Sequence, residues 1–111
     1  MPEPNTFTRL VLTTASSPEE AALLGRTLVE EGLAACANVI PGIRSIYRWQ
    51  GAVEDTPEAL LLIKTGEAQL AALEARLHQL HSYQTPEFLV INPESGSPAY
   101  LAWLGNSLGK G

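Results

Sequence analysis

Residues 33 to 65 constrain the fold more than any other part of the chain. Leu33 to Gln50 and Ala52 to Thr65 both read as extended segments, and Gln50-Gly51 between them suits a tight hairpin turn. Strands in small domains run mostly about five or six residues, so two arms of this length outrun what one small sheet can shelter. Pro41-Gly42 predicts a bulge, kink or edge in the first arm, because proline donates nothing to a ladder. Pro57 predicts a break or bulge in the second. The first arm ends on Tyr47 and Trp49, which points to a surface covered by another chain.

The flanking segments supply a regular frame. Thr6 to Thr14, rich in Thr, Leu and Val, reads as a strand buried on at least one face. Ser17-Pro18-Glu19-Glu20 is a helix start: Ser17 as cap, Pro18 at the first helical position, Glu20 closing a capping box. Ala21, Leu24 and Leu28 follow at helical spacing, and Gly32 marks the stop. Glu67 to Leu80 predicts a second helix with Leu70, Leu73, Leu77 and Leu80 on one stripe. Ser82 to Pro86 reads as a loop, Glu87 to Asn92 as a short strand, and Ser97-Pro98 opens a short final helix carrying Tyr100, Trp103 and Leu104. The order is the ferredoxin-like β-α-β-β-α-β pattern, with an antiparallel sheet, long second and third strands, and a C-terminal helix. Two helices cover one sheet face and leave the other open, and such a face is normally covered by another subunit. Length and continuity predict a single domain over residues 1–111.

Composition narrows the function classes. The net charge is -5 and the 7 basic residues are scattered, so no basic stripe speaks for nucleic acid. The charged fraction, 17%, is low for a chain that must solvate its whole surface, which favours an oligomer. Ala59 to Ile63 is the longest apolar run, far short of the roughly 20 residues that span a bilayer. The N-terminus shows no basic patch followed by an apolar run, and the single cysteine makes no intrachain disulfide. The expectation is a cytoplasmic protein with neither membrane nor nucleic-acid partner. No C-x-x-C, H-E-x-x-H, G-x-S-x-G or phosphate-binding glycine loop is present, so an enzyme is not expected, nor is an organic cofactor.

Several side chains carry chemistry, each with a plainer alternative. Cys36 as thiolate is a soft ligand for copper or zinc, and cysteine equally fills cores as a small hydrophobe. His78 and His81 are spaced i, i+3 and form a polar stripe with Glu74; a solvated helix end explains His78 as well. His81, Tyr83 and Glu87 can converge where a helix hands over to a strand. Glu58 and Lys64 share a strand face with Leu60 and Leu62, as strand ends meeting water or as contacts at a subunit seam. Tyr47, Trp49, Tyr100 and Trp103 are interface anchors or core aromatics, and the interface is favoured for at least two.

Four ordered motifs resemble the CutA family of divalent-cation tolerance proteins. They are A-C-A-N-V-I-P-G-I-R-S-I-Y-R-W over Ala35 to Trp49, E-A-L-L-L-I-K-T over Glu58 to Thr65, H-S-Y-Q-T-P-E over His81 to Glu87, and Y-L-A-W over Tyr100 to Trp103. The resemblance runs from about residue 7 to residue 104, with Ser82 standing where the family commonly has proline. It implies a homotrimer of ferredoxin-like subunits whose long hairpins pair with neighbours, placing Tyr47, Trp49, Tyr100 and Trp103 at the interface. It implies weak binding of divalent metal, copper or zinc, with Cys36 and His81 as ligand candidates and Glu58 or Glu87 as oxygen donors. The trimer also resembles that of PII signalling proteins. That analogy offers an alternative: a signalling or adaptor module with an unidentified small effector or protein partner, in which Lys64, Tyr83 and Arg48 line an intersubunit cleft.

Overall fold

The computed structural model describes residues 1–109. Its elements are β1 (Glu3–Pro4), β2 (Thr8–Ala15), α1 (Pro18–Glu30), β3 (Cys36–Trp49), β4 (Ala52–Gly66), α2 (Leu70–Leu80), β5 (Leu89–Ile91), β6 (Ser95–Gly96) and α3 (Pro98–Asn106). A 3-10 turn over Glu67–Gln69 leads into α2. The main sheet has the order β3-β4-β2-β5 with every neighbour antiparallel, the ferredoxin-like arrangement that the sequence predicts. β1 and β6 form a separate two-residue ladder that nothing in the sequence announces.

Local chemistry accounts for the ends of α1. Ser17 Oγ accepts from the Glu20 N–H at 3.1 Å, and Pro18 occupies the first turn, where its missing donor is not needed. Glu20 does not close the expected capping box onto Ser17. Its Oε1 accepts instead from the N–H and Oγ of Ser16, at 2.9 and 2.8 Å. At the other end Gly32 takes φ 76°, a left-handed conformation that glycine enters without a Cβ penalty.

The helices pack on one face of the sheet. Val11 on β2, Leu61 and Ile63 on β4, Leu24 and Leu28 on α1, and Leu73 and Leu77 on α2 form one cluster nearly or wholly out of water. Burying a side chain of this size stabilises by roughly 1.5–3 kcal/mol, so this layer fixes the two helices on the sheet. Leu70 and Leu80, the outer members of the α2 stripe, are partly buried against the same cluster.

The long hairpin meets one expectation of its prolines and corrects the other. Ile40 pairs with Leu60, yet Ile43 pairs with Glu58, so β3 holds one extra residue at Pro41-Gly42, with Gly42 at φ 74°. Pro57 breaks nothing: it pairs with Arg44 in unshifted register. β2 ends at Ala15 opposite Ala59, and among the described residues β3 is then β4's only neighbour in the sheet. A proline nitrogen on the unpaired side of such a strand removes no ladder bond. The turn carries Gln50 at φ 50° and Gly51 at φ 83°, the two positive φ values that match a hairpin's twist.

The second face of the sheet carries Leu10, Leu12 and Thr14 of β2 and Leu60, Leu62 and Lys64 of β4, all half-buried. Leu89 and Ile91 of β5 extend it and are exposed. α3 covers one end, with Leu101 and Leu104 buried beneath it. β5 is shorter than the predicted Glu87 to Asn92 strand because only Leu89–Ile91 find partners on β2.

Candidate functional site

Polar chemistry collects where β4 leaves the shelter of β2. Thr14 and Ala15 end β2 there, Glu58 lies just beyond on β4, and the loop after α2 folds across the gap. His81 fixes that loop. Its side chain is fully buried, its Nε2 sits 2.7 Å from the Thr14 carbonyl, and its Nδ1 accepts the Tyr83 N–H at 3.0 Å. With Nδ1 accepting, the ring proton is on Nε2 and is donated to Thr14.

Tyr83 then reaches Glu58. Its hydroxyl donates to Glu58 Oε2 at 2.5 Å, the short contact expected of a phenol on an ionised carboxylate. Burial first, and then that bond and the nearby Glu58 charge, hold the Tyr83 phenol well above its ordinary value. Partial burial and the Glu58 charge also raise the Glu87 carboxyl above its ordinary value. Two carboxylates near one another without a cation resist joint ionisation.

Glu20 is the member that sequence reasoning missed, having given it only a helix-capping role. Its Oε2 accepts the Ser82 N–H at 3.0 Å and lies 4.0 Å from His81 Nδ1. Burial acts to raise its carboxyl, but the hydrogen bonds from Ser82 and Ser16 outweigh it and bring the value down to about 2. The signal available in sequence was the S-S-P-E-E run itself, which fixes a carboxylate without saying which donors it meets.

The metal-ligand candidates do not converge within one chain. Cys36 pairs with Lys64, four residues along β4 from the level of Thr14, and β4 separates it from β2. At about 3.3 Å per residue and about 4.8 Å per strand, that puts it roughly 15 Å from His81. Cys36 lies beside Asn38, its Sγ 3.9 Å from Oδ1, and lines a groove of about 530 Å³ with Gly25, Val29, Ala37 and Trp103. Among the described residues no group of three or more His, Cys, Asp or Glu is placed to hold a metal ion. His81 has both nitrogens occupied, so the donors with spare lone pairs at the loop are the oxygens of Glu58 and Glu87. His78 is exposed near the end of α2.

The remaining candidates are spread along the sheet. Lys64 Nζ lies 3.2 Å from the Tyr100 hydroxyl and 5.6 Å from its ring centroid. Arg48 is exposed on the hairpin arm, opposite Val53. Lys64, Tyr83 and Arg48 therefore do not form one cleft within a single chain. Tyr47, Trp49, Tyr100 and Trp103 are 43–55% exposed, which excludes the core role for all four. Tyr100 and Trp103 stack on each other at 5.5 Å. No described helix is long and apolar enough to cross a membrane.

Comparison with known proteins gives the same frame. The model of the CutA1 divalent ion tolerance protein family matches residues 9–107. The divalent-cation tolerance protein CutA of Thermus thermophilus is 44% identical over 100 residues, covering 90% of this chain and 97% of that protein. Among solved structures, CutA from Synechococcus elongatus superposes with a TM-score of 0.93 at 44% identity, covering 97% of this chain and 96% of that one. A second structure of it, complexed with a Bis-Tris molecule, superposes at 0.90 with 42% identity, covering 97% and 100%.

Proposed function

The chain belongs to the CutA1 divalent ion tolerance family, and we propose that it works as a homotrimer that binds divalent cations weakly, copper among them. The observation that carries the cation reading is the Glu58–Glu87 pair. One carboxylate is held by a phenol, its neighbour is raised by burial and then by the first one's charge, and no basic side chain lies within 4.0 Å of either among the described residues. A divalent cation relieves that repulsion and accepts oxygen donors readily. Tyr83 positions Glu58, His81 holds the loop, and Glu20 anchors it. Cys36 is a separate soft donor that favours copper. In this reading it takes part with ligands from a neighbouring subunit and not with His81 of its own.

The homotrimer is supported by the apolar second face of the sheet and by aromatics left exposed on the hairpin arm and on α3. Calorimetric titration with copper, zinc and magnesium tests the cation site. Expected is weak binding that E58Q and E87Q each reduce at least fivefold while C36A lowers copper affinity alone. Affinities unchanged in all three variants would overturn it. Light scattering on the wild-type chain tests the trimer.

One observation favours a second reading. The Synechococcus relative is described in complex with Bis-Tris, a small polar organic molecule. The alternative is a trimeric signalling or adaptor module taking a small effector between subunits, with Lys64, Tyr83 and Arg48 contributed by different copies. A thermal-shift screen of metals against nucleotides and organic anions separates the two, because a ligand confined to the native state raises its apparent stability.

A further inference from the structure

Opposite charges stand at the two ends of one apolar surface, and neither end meets a counter-ion among the described residues. Lys64 is half-buried on the second face of the sheet, with Cys36 opposite it on β3 and Leu10 opposite it on β2. Tyr100 is its side-chain hydrogen-bond partner, and among the described residues no carboxylate lies within 4.0 Å of its Nζ. Glu58 occupies the same face of the same strand, held by Tyr83 and near Glu87.

The two ends cannot meet in one chain. Six residues of extended strand separate Glu58 from Lys64, about 20 Å. Leu60 and Leu62 lie between them, with Leu12 across the ladder and exposed Leu89 and Ile91 beyond. Covering this face with another protein removes water from the ammonium, and an ammonium taken out of water without a counter-ion costs several kcal/mol. Whatever covers Leu60 and Leu62 must therefore bring a carboxylate to Lys64. A surface positive at one end and negative at the other is complementary to a second copy of itself placed head to tail, and such contacts close into a ring when the rotation between copies closes, as it does in a trimer.

We propose that Lys64 of one copy receives the Glu58–Glu87 carboxylates of the next, so that the site at the Tyr83 loop is complete only between two subunits. This rests on the homotrimer proposed above and adds to it the residue that a neighbour contributes. It also gives weak metal binding a cause. A divalent cation at Glu58 and Glu87 must displace a resident ammonium, so removal of that ammonium strengthens metal binding.

The test uses the full-length chain and measures mass by light scattering, with circular dichroism as the check on folding. Wild type is expected as a trimer, K64E at lower mass, and the triple variant K64E/E58K/E87K back at the trimer mass, since it restores the complementarity with reversed sign. K64M, which keeps the side-chain bulk without charge, is expected to stay folded, to dissociate at about tenfold higher protein concentration than wild type, and to bind zinc alone at least fivefold more tightly. A wild-type trimer whose mass and dissociation are unchanged in K64E and K64M overturns the proposal and leaves the trimer standing. A wild-type monomer overturns both. Should K64E fail to fold, the K64M dissociation and zinc titration decide: an unchanged midpoint and unchanged zinc affinity refute the pairing.

Discussion

Glu20 on α1 holds the Ser82 N–H at 3.0 Å, tying the first turn of a helix to a loop that begins more than sixty residues later in the chain. The carboxylate is the acceptor in every one of those bonds, so the tie exists only while Glu20 is ionised. Its value falls to about 2 in the fold against 4.5 for the free side chain. A depressed carboxyl contributes stability that is present above 4.5 and is lost as the pH falls towards 2. E20Q is therefore expected to lower stability by about 2 kcal/mol at pH 7 and to match wild type near pH 2. Urea melts at the two pH values check this, and an equal deficit at both would refute the charge-dependent tie.

Glu87 has the opposite sign. Its carboxyl is raised in the fold, so the folded state binds that proton more tightly and stability falls as the pH rises through the carboxylate range. The repulsion is unanswered where Lys64 is absent, so in the K64M background E87Q is expected to melt a few degrees above its parent at pH 7 and at the same temperature at pH 3. A divalent cation is expected to erase the difference at pH 7 by stabilising the parent alone.

Tyr83 holds Glu58 by one hydroxyl, and Y83F removes that atom and nothing else. The expected cost is about 1–2 kcal/mol, the range for a bond to a charged acceptor that is only partly buried. The E58Q/Y83F double variant is expected to lose little more than either single variant, which a double-mutant cycle measures.

Gly25 makes the close approach of α1 to the sheet possible. A Cβ built there would lie 2.9 Å from Ala37 Cβ, which the backbone fixes, and 3.2 Å from Cδ1 of the fully buried Leu61. G25A gains helix propensity of about 1 kcal/mol but overpacks the layer by about 1–3 kcal/mol. A net loss of about 1 kcal/mol in a thermal melt is expected, and a gain would show that α1 can move off β3.

Much of this architecture was legible because it is written in local patterns. Ser17-Pro18 starts a helix, Leu73 and Leu77 sit on one face, and Gln50-Gly51 turns a hairpin for reasons contained within a few neighbouring residues. The β1–β6 ladder was not legible, because its two pairs rest on backbone bonds that leave no mark on side-chain choice. Pro57 misled because the cost of proline depends on whether its strand has a second neighbour, and that is a property of where β2 stops. The destination of Glu20 and the separation of Cys36 from His81 depend on register and on a loop path, which no spacing in one dimension encodes.

The extra residue in β3 has an effect well beyond its own position. Before it, even-numbered residues such as Cys36 and Ile40 share a side with Leu60 and Lys64; after it, the odd-numbered Tyr47 and Trp49 stand opposite Glu54 and Ala52 and share that side. The insertion acts as a parity change in the alternation of the strand. Deleting Gly42 would remove the bulge and leave Tyr47 and Trp49 opposite Glu54 and Ala52 on the same side, so the arm would keep its aromatic face and lose the local bend and added twist that the extra residue gives it. The pairing with β4 thus decides which side chains the arm offers to a neighbouring molecule, and the insertion decides the direction in which the arm leaves the sheet.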